Sequence, residues 1–228
     1  MRKVNELLEL HDTLLDHFGP QYWWPGDGPW DVCAGAVLTQ NTRWANAERA
    51  LRALAKAGYA DPEQLHDAPD AEIETLIRPA GFFTQKRRAL KSLAGWVMEG
   101  GGFAGRAALD SQELRRSLLA LPGIGPETSD CIILYGFARP AFVADAYARR
   151  ILSRTGFWPA ATTGPGAYDD LKSWVESRLP GEPSLFNEFH ALLVALAKDH
   201  CRVHPLCTEC PLNGRCAFAL TERRMTCR

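Results

Sequence analysis

The chain has little of what β-proteins are built from. Its 228 residues include 8 valines and 6 isoleucines, against 31 alanines and 28 leucines. β-Branched side chains lose rotamer freedom on a helix and unbranched ones do not, so this balance favours helices over sheets. Long apolar runs are also missing. None approaches the ~18 residues of a membrane-spanning helix, and no membrane contact is expected. The opening residues, Met1-Arg2-Lys3-Val4-Asn5-Glu6, contain no apolar stretch of an export signal, so a cytoplasmic location is expected. Nor does charge of one sign dominate. The formal net charge is −1, so any affinity for a polyanion must come from local patches. What remains is ordinary for a globular protein of one or two domains, with 46% hydrophobic and 23% charged residues.

Four of the seven cysteines crowd the C-terminal end as Cys201-x5-Cys207-x2-Cys210-x5-Cys216. Disulfide scaffolds are typically short and secreted, whereas clustered thiols in a reducing compartment more often hold a metal. Pro205, Pro211 and Gly214 stand between the candidate ligands. Spacing alone admits zinc on four thiolates or a 4Fe–4S cluster. Cys33 and Cys131 fall on apolar helix faces and are expected in the core, while Cys227 is expected to be a loose terminal thiol.

Nearly every segment repeats at the helical period, and the expected class is all-α. Val4, Leu7, Leu8 and Leu15 mark a first helix. Trp30, Cys33, Ala34, Val37 and Leu38 form a core-facing stripe, and Trp44, Ala47, Leu51 and Leu54 another. Residues 61–76 carry six acids and no lysine or arginine, which suggests a solvated acidic surface. Gly81-Phe82-Phe83 reads as a turn, after which Lys86, Arg87, Arg88 and Lys91 open a basic helix. Asp110, three residues before Glu113, has the pattern of a capping box. Residues 159–166 read as a loop, and Leu185, Phe189, Leu192, Leu193 and Leu196 as a last buried helix.

Between helices expected over 111–120 and 127–137 lies Leu121-Pro122-Gly123-Ile124-Gly125-Pro126. Glycines on either side of Ile124 permit positive φ and close backbone approach, and Ile124 can plug the space beneath the turn. The N–H groups that open the second helix suit an anion such as a DNA phosphate, without any basic side chain. A plain helical corner with a tight glycine turn is the alternative.

These residues, with Val143-Ala144-Asp145 beginning sixteen residues after Glu127, resemble the helix–hairpin–helix DNA glycosylases of the endonuclease III superfamily. Leu38-Thr39-Gln40-Asn41-Thr42, Gly81-Phe82-Phe83-Thr84-Gln85-Lys86 and the terminal cysteines follow in the expected order, so the similarity spans about Trp30 to Cys216. It implies a two-lobed fold: a helical barrel with the hairpin over 30–144, and a discontinuous helical lobe of 1–29 and 145–228. A DNA cleft would lie between them. It tips the cysteines toward a 4Fe–4S cluster, although the first gap is five residues where six is usual. His200 or His204 could substitute for Cys201.

The family's catalytic aspartate corresponds to Asp145, which the sequence also fits as a helix N-cap. The lysine that forms a Schiff base in bifunctional members is replaced by Glu127. A carboxylate cannot form an imine, so lysine-dependent strand nicking is not expected. Glu127 is either a favourable helix-start residue or a group near substrate and water. Trp23, Trp24 and Trp44 are either core residues or the walls of a base pocket, and Trp-Trp-Pro-Gly together with Gln-Asn-Thr and Gly-Pro-Glu-Thr resembles the subgroup acting on 3-methyladenine. Stacking on indole would favour a cationic alkylated purine. By resemblance, Gln40 fills the gap left by a flipped nucleotide, and Pro122, Gly123, Ile124 and Gly125 hold the DNA backbone. Lys86, Arg87, Arg88, Arg149, Arg150 and Arg154 are further candidates for phosphate contact. The expected protein is a monomeric, monofunctional glycosylase of base excision repair acting on damaged double-stranded DNA, nucleoid-associated if prokaryotic. A bifunctional enzyme for oxidised pyrimidines and a non-catalytic damage-binding protein are the alternatives.

Overall fold

The structure, a computed structural model, describes residues 2–24, 26–159 and 163–226. Pro25, Cys227 and part of the 159–166 loop lie outside the described residues. The described residues form helices and turns without strands. In chain order the helices are α1 (Arg2–Phe18), α2 (Pro29–Leu38), α3 (Trp44–Lys56), α4 (Pro62–Asp67), α5 (Asp70–Leu76), α6 (Phe83–Glu99) and α7 (Gly102–Ala107). Then follow α8 (Ser111–Leu119), α9 (Pro126–Cys131), α10 (Ala146–Thr155), α11 (Ala167–Glu176), α12 (Pro183–Asp199) and α13 (Ala217–Thr226). The chain divides into two compact units, Trp24–Arg139 and Met1–Trp23 with Pro140–Arg228.

The Trp24–Arg139 unit is built around α2. Eight of its ten residues are buried: Trp30, Val32, Cys33, Ala34, Gly35, Ala36, Val37 and Leu38. A helix that is apolar nearly all round can only be central, and α3, α6, α9 and the segment after α9 pack on it. The expected stripe is therefore real but understated. Leu65 of α4 and Ile73 of α5 are fully buried, so the acidic segment carries an inner apolar face beneath its charged one. Asp110 caps α8 by accepting from the Gln112 and Glu113 amides.

Helix α9 does not run on to 137 as its composition suggests. At Ile132–Gly136 it widens into a π-turn, closed by Phe137 N–H on the Ile132 carbonyl at 3.1 Å. Gly136 lies against α2 there, where a β-carbon would come within 2.8 Å of Cys33 Sγ. Cys33 is buried as expected, but Cys131 is only half-buried.

The other unit is organised around α12, whose Phe186, Phe189, Leu192, Leu193 and Leu196 are buried. Leu185, assigned to the core stripe from the sequence, stays partly exposed and Phe186 takes its place. On α1 the inward positions are Leu7, Leu10 and Leu14, whereas Leu8 and Leu15 are half-buried. Residues 140–145 lead into α10 without regular secondary structure, with Ala141, Phe142, Val143 and Ala144 buried. A buried segment outside helices and sheets must satisfy its amides otherwise. Phe142 N–H donates to Glu176 Oε1 at 2.8 Å, and Ala144 N–H to the Tyr168 hydroxyl at 3.4 Å.

Candidate functional site

Asp145 is the last extended residue before α10. Its Oδ1 accepts from the Ala148 amide at 2.7 Å, so it is an N-cap. Its Oδ2 lies 3.5 Å from His190 Nε2 on α12, and the carboxylate is 12% exposed. The carboxylate is thus held at fixed orientation without being sealed from solvent. His190, itself buried, was not singled out in the sequence, because nothing local marks a residue forty-five positions away as its neighbour.

In the Trp24–Arg139 unit, α8 ends in a turn closed by Ile124 N–H on the Leu121 carbonyl at 3.2 Å. Gly123 takes φ +79°, and a β-carbon there would lie 3.0 Å from that of Ala89. Positive φ and close approach both demand glycine. Gly125 differs: its φ is −94°, and a β-carbon would meet nothing within 4 Å. Its missing side chain therefore leaves open surface on the molecule. Ile124 is buried beneath the turn as expected, while Pro122, Gly123 and Glu127 are exposed. Arg115 grips the buried Asp130 with Nε at 2.9 Å and Nη2 at 3.1 Å, clamping α8 to α9.

Gln40 lies just beyond α2 and reaches the hairpin. Its Nε2 donates to the Gly123 carbonyl at 2.9 Å and to Thr128 Oγ1 at 2.8 Å. Filling a gap in a duplex would require this amide to leave the hairpin. Nearby Phe82, the N-cap of α6, is 62% exposed and left-handed at φ +45°. An exposed Phe in that conformation is unusual, and the sequence showed only a turn.

Trp24 and Trp44 come together, ring centroids 5.1 Å apart and nearly perpendicular at 86°. They meet edge to face, so no slot lies between them. Tyr135, on the π-turn, stacks on Trp24 at 5.1 Å and 42°. Gly35 gives them room, since its β-carbon would approach both indoles at 3.4 Å. The aromatic group thus includes a ring delivered by a π-turn the sequence did not reveal. Trp23 belongs to the other unit, where Lys198 Nζ sits 5.6 Å from its ring centre.

Several cations named as phosphate contacts are engaged elsewhere. Lys86 is 2% exposed and donates to three backbone carbonyls, and burial pushes its pKa down to about 8. Arg87 pairs with Asp70 and Glu74. Arg150 Nε donates to the Cys201 carbonyl at 2.9 Å, while Arg154 donates to the carbonyls of Arg202 and Val203. These are internal ties rather than free surface charges.

Cys201, Cys207, Cys210 and Cys216 line one pocket, with Ile151, Leu196 and Phe218. Burial, then the charges of the other three thiols, raises the Cys210 thiol. Arg154 Nη1 lies 3.5 Å from Cys201 Sγ, which suits a thiolate, and Cys216 Sγ donates to the Arg154 carbonyl at 3.3 Å. Among the described residues no three His, Cys, Asp or Glu side chains converge as an ion-binding group.

A glycine hairpin between two helices and, in the other unit, a helix-capping aspartate 12% exposed to solvent thus stand among described residues that form helices without strands. The chain belongs to the HhH-GPD superfamily of base excision DNA repair proteins, whose description it matches over residues 34–177. A Methanocaldococcus jannaschii protein bearing the name of a DNA repair glycosylase is 36% identical over 217 residues, 94% of this chain and 97% of that one. A trapped endonuclease III–DNA covalent intermediate superposes with a TM-score of 0.80 at 21% identity, covering 97% of this chain and 98% of the other. An H. pylori 3-methyladenine DNA glycosylase bound to 1,N6-ethenoadenine gives 0.70 at 25% identity, covering 86% and 95%.

Proposed function

We propose that this DNA glycosylase is monofunctional, hydrolysing the N-glycosidic bond of damaged bases, with alkylated purines as the preferred class. The geometry of Asp145 carries the proposal. A departing base leaves oxocarbenium-like charge on the sugar, and a preoriented carboxylate lowers the cost of forming that charge. Asp145 has one oxygen committed to its helix and keeps partial access to solvent. With Glu127 where a nucleophilic lysine would stand, water is the nucleophile.

Base extrusion needs groups that grip the backbone, enter the stack and receive the base. The Pro122–Gly125 turn, exposed at Pro122 and Gly123 and open at Gly125, suits a phosphate. Phe82 suits an apolar wedge between base steps, with Gln40 following into the vacated space. Trp24, Trp44 and Tyr135 offer aromatic surface on which a cationic base gains about 0.5–2 kcal/mol over a neutral one. The H. pylori likeness supports this lesion class.

Although no three of them converge as a site for a single ion, the four thiols that line the C-terminal pocket are proposed to hold a 4Fe–4S cluster, being a soft donor set with a guanidinium near one sulfur. When bound, the cluster would order the loop 201–216. The chemistry of base release needs no electron from it.

Asp145→Asn tests the proposal on duplexes carrying 3-methyladenine, thymine glycol or a mismatch. Wild type is expected to release the alkylated base and leave breaks only after alkali. The variant should lose at least ~100-fold in rate, as for removal of one stabilising group, while still binding the duplex. An active variant would overturn the assignment.

A further inference from the structure

We propose that Lys86 is a positioning residue for duplex recognition, binding the Gln40 loop and the Phe82 loop into one rigid two-pronged element. This rests on the reading of the chain as a base-extruding enzyme. The side chain leaves the first turn of α6 and is buried at 2% exposure. Nζ donates at 2.8 Å to each of three carbonyls: Leu38 at the end of α2, Gln40 beyond it, and Ala80 in the turn before Phe82. An ammonium has three donors and no acceptor, so every proton is used.

What it joins is the notable part. Gln40 is followed by Asn41 at φ +52°, and Phe82 stands at φ +45°. Asparagine adopts such an angle readily, whereas phenylalanine holds it only where surrounding structure over-determines it. Placing a cation inside the unit is costly, and the depressed pKa reflects that desolvation. An apolar side chain would fill the same space but leave the three carbonyls without a donor, so hydrogen bonding rather than packing accounts for an ammonium here. Three carbonyls drawn to one point set the spacing of the two loops, and with it the spacing of an amide and a phenyl ring offered to DNA. Nζ faces inward and reaches no phosphate.

The test is a four-cornered comparison of affinity for a duplex containing an abasic-site analogue, using wild type, Lys86→Met, Gln40→Ala/Phe82→Ala and the triple variant. Lys86→Met is expected to bind about tenfold more weakly, within the range for coupled neighbours. Its salt dependence should keep the wild-type slope, because no phosphate contact is lost. In the Gln40→Ala/Phe82→Ala background the same change should cost less than about twofold. Equal losses in both backgrounds, a shallower salt slope, or a folded variant with unchanged affinity would each overturn the proposal. If Lys86→Met does not fold, Lys86→Gln takes its place in the same comparison. Failure of both to fold would show a lysine that serves the fold alone, which also overturns it. Wild-type protein that binds the abasic duplex but releases no base would instead remove the glycosylase proposal and leave this comparison readable.

Discussion

The helix cap that Asp145 makes and the catalytic role proposed for it can be separated by substitution. Asparagine keeps a carbonyl oxygen for the Ala148 amide, whereas alanine does not. Both variants are expected to lose base release, but only Asp145→Ala should lose stability, by about 1 kcal/mol. Urea denaturation beside single-turnover assays would show it. Glu127 predicts that borohydride yields no covalent adduct with a base-bearing lesion duplex; a trapped adduct would reveal an unrecognised amine. At this scale, hydrogen-bonding type was legible in the sequence and partnership was not. Asp145 could be placed before α10 because capping is local. Lys86, Arg87, Arg150 and Arg154 resembled a wet basic surface, because a sequence shows charges and not the carbonyls and carboxylates that claim them.

At the scale of elements, the legible features were those with short-range signatures. Leu121-Pro122-Gly123-Ile124-Gly125 specified its turn, and the α2 stripe specified a buried helix. The π-turn at Ile132–Gly136 was invisible because the same residues suit an α-helix equally well. It arises where Gly136 meets Cys33, and it places Tyr135 against Trp24. Gly136→Ala should therefore cost about 1–3 kcal/mol, as overpacking does, and should change the fluorescence of the tryptophan group as well. A neutral effect on both would mean that α2 gives way at no cost. Gly123→Ala meets left-handed φ and the 3.0 Å approach to Ala89 together. Its expected loss is larger in DNA affinity than in stability, measured by duplex titration beside thermal melting.

For the whole molecule, the family match and the all-helical fold agree with what dispersed motifs implied, since three motifs in fixed order constrain far more than one. The cysteine loop remains the part on which chemistry must speak. Purified protein is expected to be brown and to absorb near ~400 nm, the region of thiolate-ligated iron. Removing iron with a chelator should lower the melting temperature, because a site formed by the fold returns its binding energy to the fold. Colourless protein containing stoichiometric zinc would reassign the site.

Helix α10 is tied to that same loop from its middle, by Arg150 on the Cys201 carbonyl, and from its far end, by Arg154 on the carbonyls of Arg202 and Val203. Ten residues of helix make a rod of about 15 Å, too short and stiff to bend appreciably along its length. A shift of the cysteine loop is expected to tilt or slide the rod as a whole and, with it, the Asp145 carboxylate that caps its opposite tip.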